Sequence, residues 1–170
     1  MKVSDVMQSQ VEVVAPDATV GYVSKLIFGR GINGVPVCKG KKIVGFITER
    51  DILEKFYPSM DEYLEDPIHA TDFEAMEKKA AEILSLTAED IMSGSPVTIE
   101  ADSPILRAQS LMFVNKVGRL PVVDKKGNLV GIVAKGDIFK AAVGQKLPFD
   151  QEEEFYDWMA KYYDTLMDWD

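Results

Sequence analysis

One cysteine and one histidine are all that 170 residues contain of the two types. Cys38 alone cannot close an intramolecular disulfide, and with His69 as its only companion it cannot build a Cys/His zinc site. A Ser-His-Asp or Cys-His mechanism would have to run through that single imidazole, so no catalytic constellation is expected. No apolar run approaches the ~20 residues of a membrane-spanning helix, and the segment Met1–Met7 lacks the apolar core of a signal peptide. Membrane insertion is therefore not expected, and a cytoplasmic location is. Basic charge is in deficit, 19 Lys and Arg against 28 Asp and Glu, for a net charge of −9. Non-specific nucleic-acid binding draws its free energy from cations on phosphates and is not expected of such a chain. The glycines do not fall in a Walker or dinucleotide-binding spacing.

What the sequence does contain is a repeat. Asp5, Met7, Asp17, Leu26, Phe28, Pro36, Val37 and Lys41 recur 85 positions later as Asp90, Met92, Asp102, Leu111, Phe113, Pro121, Val122 and Lys126. After a one-residue insertion in the polar turn near Gly127, Gly45, Asp51 and Ile52 match Gly131, Asp137 and Ile138 at a spacing of 86. Each copy reads as a short strand (Val11–Val14; Val97–Ile99), an amphipathic helix, a hairpin (Val35–Cys38 with Ile43–Thr48; Leu120–Val123 with Leu129–Ala134) and a final helix from Glu49 or Lys135. The expected fold is α+β, β-α-β-β-α twice. A unit of about 55 residues is marginal alone, so the copies are expected to share a core.

Four segments follow: a first unit over 1–56, an acidic helical linker over 57–88, a second unit over 89–143, and an acidic aromatic tail over 144–170. In the linker, Thr71 and Glu74 have capping-box spacing ahead of the stripe Phe73, Met76, Ala80 and Ile83, predicting a helix over about 72–85. In the tail, Phe155, Trp158, Met159, Tyr162, Tyr163, Leu166 and Trp169 fall on one face of an amphipathic helix. That face packs on its own module, on a second copy or on a partner. Residues 1–56 and 89–149 each carry a net +2, whereas the linker carries −6 and residues 150–170 carry −7. The acidity belongs to the added helices, and the repeats are mildly basic, as an anionic ligand prefers.

The paired Asp-hydrophobic-Met, hydrophobic-Pro-Val-hydrophobic and Gly-x-x-Thr-x-x-Asp patterns resemble tandem cystathionine-β-synthase-type (CBS) domains, the pair known as a Bateman module. The resemblance implies two units related by a pseudo-twofold axis, with clefts between their sheets. It also implies a regulatory rather than enzymatic role, with AMP, ADP, ATP or S-adenosylmethionine as ligand, no obligatory cofactor, a homodimer, and action in trans on a regulated partner. An interaction scaffold using the tail is the alternative. Gly45-Phe-Ile-Thr48-Glu-Arg50-Asp51 fits the ligand signature in full. A carboxylate at a helix start can accept both hydroxyls of a ribose, and the Thr48 hydroxyl can reach ribose or phosphate, although both residues also suit a simple helix cap. The second copy keeps Asp137 but has Ala134 in place of the threonine, with Lys135 as a compensating phosphate partner. Arg119 resembles the family's phosphate-contacting position, where the first copy has Gly34. By the same resemblance the adenine slot draws on Val13 and Thr98 of the first strands and on Pro36 and Pro121 at the strand entries. The prolines also suit a purely structural role there.

Overall fold

The computed structural model describes residues 1–67 and 72–143; His69, Thr71 and the tail helix expected over 151–169 lie outside them. Helix α1 (Val20–Arg30) starts where Thr19 accepts a hydrogen bond from the Tyr22 amide at 3.2 Å and stops at Gly31, whose φ of 63° few other residues adopt cheaply. Strands β1 (Gly34–Lys39) and β2 (Lys42–Thr48) form the expected antiparallel hairpin, and α2 (Glu49–Phe56) follows directly. The second copy repeats this with α6 (Ile105–Asn115), β5 (Arg119–Val123), β6 (Leu129–Ala134) and α7 (Lys135–Val143). Between the copies lie α3 (Met60–Glu65), α4 (Phe73–Ser85), α5 (Ala88–Ile91) and the short strands β3 (Ser93–Gly94) and β4 (Ile99–Glu100).

Three local expectations are corrected. Val11–Val14 is not a strand: Val14 alone makes a parallel bridge, to Val37. In the second copy the strand covers Ile99–Glu100 and not Val97–Ile99, paired parallel to Val122–Val123. The prolines explain both. A further rung toward the N-terminus would need an amide N–H from Pro36 or Pro121, and proline has none. The linker helix is capped by Asp72, which accepts from the Ala75 amide at 3.0 Å, one residue later than the capping-box spacing set its start. Helix α3 was not anticipated, although Ser59 and Glu62 form a capping box at its start.

The two units exchange their leading segments. Val3 is fully buried in the second unit's core with Leu120, Val122, Val133 and Ile138, whereas Ala88 and Ile91 lie in the first unit's core with Val35, Val37, Ile47 and Ile52. Gln8 pairs with Ile132 just as Ser93 pairs with Phe46. The exchange explains two repeated motif residues at once. A Cβ added at Gly45 would lie 2.2 Å from the Met92 sulfur, and one at Gly131 would lie 2.6 Å from that of Met7. Each methionine of one copy thus packs onto the glycine of the sheet it joins. The aspartates two residues before them cap their own short turns: Asp5 accepts from the Lys2 amide at 2.7 Å and Asp90 from the Thr87 amide at 2.8 Å. Cys38 is buried in β1, and burial pushes its thiol pKa up, as expected of a structural residue.

Candidate functional site

Helices α2 and α7 both begin at a strand end, and both beginnings face an open cleft of about 1770 Å³ between the units. At the first, Thr48 and Asp51 close a reciprocal cap. The Thr48 hydroxyl accepts from the Asp51 amide at 3.3 Å and donates to Asp51 Oδ2 at 2.7 Å, which also accepts from the Thr48 amide at 2.7 Å. At the second, Ala134 supplies no hydroxyl, and among the described residues Asp137 Oδ2 accepts only from the Ala134 amide, at 3.1 Å. The N-terminal amides of both helices favour an anion in the cleft.

The cations come chiefly from the second copy. Lys116 ends α6 with φ 54°, the position at which α1 ends on Gly31. A left-handed conformation costs an L-residue about 1 kcal/mol relative to glycine. Ser95, with φ 52°, is the other non-glycine at positive φ among the described residues, and both line the cleft. Arg119, half-buried at the start of β5, lines it too. Neither Lys116 nor Arg119 makes a side-chain hydrogen bond or ion pair with a described residue. The first copy could not carry a counterpart to Arg119 without repacking, because a Cβ at Gly34 would lie 2.7 Å from both the Ile47 carbonyl oxygen and the Phe46 ring. Phe46 fills that space and forms part of the wall instead.

The linker closes another side with Tyr57, Pro58, Ser59 and Glu62. Hydrogen bonds from Ser59 hold the Glu62 carboxyl below the usual range, so this wall stays anionic. Arg50 is taken up by Glu54 at 2.6 Å, which raises the pKa of its guanidinium further. The cleft is lined by the cations Lys116, Arg119 and Lys135 and by the anion Glu62, together with apolar and aromatic surface from Phe46, Leu53 and Tyr57.

Of the residues singled out from sequence, Thr48, Arg50, Arg119, Pro121 and Lys135 meet in this cleft. Asp51 and Asp137 stand at the helix starts without forming part of its lining. Gly34 and Pro36 are buried in β1, Val13 is exposed and Thr98 half-buried, and none of these four lines the cleft. Sequence reasoning missed Phe46, Lys116, Ser95 and Tyr57. Lys116 was within reach, since the repeat sets a lysine against the helix-ending Gly31. Nothing in the sequence signals that Tyr57 folds back onto the cleft.

Comparison with known proteins gives a concordant result. The family model described as "CBS domain" matches residues 3–57 and 88–144. The chain is 33% identical over 155 residues to the uncharacterized protein MJ1426 of Methanocaldococcus jannaschii, a match spanning 84% of this chain and 92% of that one. It is 30% identical over 126 residues to the inosine-5'-monophosphate dehydrogenase of Korarchaeum cryptofilum, a match covering 74% of this chain but 21% of the enzyme. Among solved structures, the CBS-pair protein CBSX2 of Arabidopsis thaliana superposes with a TM-score of 0.68 at 26% identity, over 85% of this chain and 96% of that one. CBSX2 has also been solved in complex with AMP, and that structure superposes with a TM-score of 0.66 at 26% identity, over 86% of this chain and 98% of that one.

Proposed function

The chain belongs to the CBS-domain family, and on that premise we propose that it is a regulatory module that binds an adenosine nucleotide (AMP, ADP or ATP) or S-adenosylmethionine in the cleft and acts in trans on a partner protein. The observation that carries this reading is the convergence of two cations that have no side-chain partner among the described residues, Lys116 and Arg119, with the helix starts at Thr48 and Lys135. AMP bound to CBSX2 supports an adenosyl ligand. In this reading the phosphates or the carboxylate of the ligand lie beside Lys116 and Arg119, away from Glu62, and the base lies against Phe46. Asp51 stands at the helix start behind the lining, and its Oδ1, which takes no hydrogen bond among the described residues, accepts the ribose hydroxyls once the side chain turns toward the cleft. A ligand held by both units at once favours one of their relative arrangements through differential affinity, and the partner reads that arrangement. The role is regulatory rather than enzymatic: the match to the dehydrogenase leaves most of that enzyme without a counterpart here. A cytoplasmic location and a homodimer complete the proposal, the dimer resting on exposed α1 residues such as Tyr22 and Phe28.

Calorimetry on the full chain with AMP, ADP, ATP and S-adenosylmethionine tests the reading. Binding of at least one is expected, and Asp51→Asn, which can still accept from the Thr48 amide, weakens it roughly tenfold by removing a charged acceptor. Absence of binding to all four overturns it.

A further inference from the structure

Among the described residues the first unit carries one more helix than the second. Helix α4 packs against both α1 and α2, with Ile83 and Leu86 against the first unit's core and the Leu84 carbonyl oxygen 3.3 Å from a Cβ added at Gly21. Helices α6 and α7 pack on each other as α1 and α2 do, but no described helix takes the place of α4 on them. Their outer side is correspondingly apolar. Leu106 is 66% exposed and Val114 76%, at the places where α1 carries Gly21 and Gly29.

The chain contains a segment whose pattern fits this face. At the spacing of 86 that aligns the later part of the repeat, the α4 stripe Phe73, Met76, Ala80 and Ile83 falls on Met159, Tyr162, Leu166 and Trp169. All four belong to the apolar stripe of the tail. The connections agree as well: 16 residues separate the end of α2 from the start of α4, and 15 separate the end of α7 from Met159. Size and charge are complementary. Leu106 in place of Gly21, the glycine on which α4 packs, holds a second helix farther out, and Leu166 and Trp169 in place of alanine and isoleucine fill the wider gap. The tail from 150 to 170 carries −7, and the face it would meet carries Arg107 and Lys140.

From this juxtaposition we infer that residues 155–169 lie in cis on the outer face of α6 and α7, as α4 lies on α1 and α2. The added acidic helices are then the last elements of the two repeats. The aromatic stripe of the tail is turned inward, and only its acidic face remains for other molecules.

Trp158 and Trp169 are the only tryptophans of the chain, so intrinsic fluorescence reports on the tail alone. In the full-length protein the emission is expected to be blue-shifted, protected from acrylamide and independent of protein concentration. Leu106→Glu combined with Val114→Glu changes only exposed side chains, and it should shift emission to the red and open it to quenching while far-ultraviolet circular dichroism keeps the signature of the folded units. Leu166→Glu, made in the tail itself and unable to unfold either unit, should do the same, and Phe28→Glu on α1 should not. Solvent-like emission in the unmodified protein overturns the inference, as does a folded α6 variant with unchanged emission. Protection that appears only as sedimentation equilibrium shows dimer forming also overturns it, placing the tail on a second copy.

Discussion

The two copies of the repeat share a backbone plan and divide the chemistry of the cleft between them. At five matched positions the first copy has Gly31, Gly34, Phe46, Thr48 and Arg50 where the second has Lys116, Arg119, Ile132, Ala134 and Gly136. The hydroxyl and the aromatic wall sit on one copy, the cations Lys116 and Arg119 on the other, and the pseudo-twofold packing brings them to one cleft. Of the reverse combination, Gly34 and Pro36 of the first copy and Asp137 of the second do not line it, whereas Asn33 and the start of α7 do. The lining of the cleft thus combines different residues of the two copies, and neither copy holds it alone.

Converting the cationic copy toward the other is the strongest way to test this. Lys116→Gly with Arg119→Gly should weaken an anionic adenosyl ligand by about a hundredfold, at roughly 1.5 kcal/mol for each charge-assisted hydrogen bond removed. Lys116→Gly should at the same time raise stability by about 1 kcal/mol by relieving the left-handed backbone. Calorimetry and urea unfolding on the same samples would separate the two signs. Equal ligand affinity in the double variant would show that the cations do not distinguish the copies.

The exchange of leading segments is tested by Gly45→Ala, which sets a methyl against the Met92 sulfur. It should destabilise by about 1–3 kcal/mol through overpacking, read as a lower urea midpoint with an unchanged slope. In a Met92→Ala background the same change should cost much less, whereas in a Met7→Ala background it should cost as much as in the native chain. The opposite pattern would place each methionine on its own copy's glycine.

That pairing also marks how much was legible in the sequence. The repeat, both hairpins, the helices starting at Val20, Glu49, Ile105 and Lys135, and the linker helix followed from periodicity and turn chemistry, because those signals are local. The Met and Gly motifs were equally visible. Their partnership was not, since a repeat reads the same whether its leading segment folds back or crosses over. The shortened first strands depend on which amide proline withholds, and that requires the strand register. In the cleft, Thr48, Arg119 and Lys135 were found from motif positions. Phe46 and Tyr57 were missed because an aromatic in a strand or a linker looks like core until the opposing wall is known.

The smallest expected effect separates cap from ligand binding at Thr48. Its hydroxyl donates to Asp51, so Thr48→Ala should cost about 1 kcal/mol of stability from the cap alone. The reciprocal Ala134→Thr should restore the same cap to Asp137 and stabilise by a similar amount, since β6 and α7 meet in the same strand-to-helix junction. If the hydroxyl serves only the cap, the two changes made together nearly cancel in the urea midpoint and leave ligand affinity unaltered. If Thr48 also reaches the ligand, the stability effects still cancel but affinity falls, by up to about tenfold for one hydroxyl hydrogen bond. Stability and affinity measured on that one double variant therefore decide whether the threonine that distinguishes the first copy is there for its helix or for the cleft.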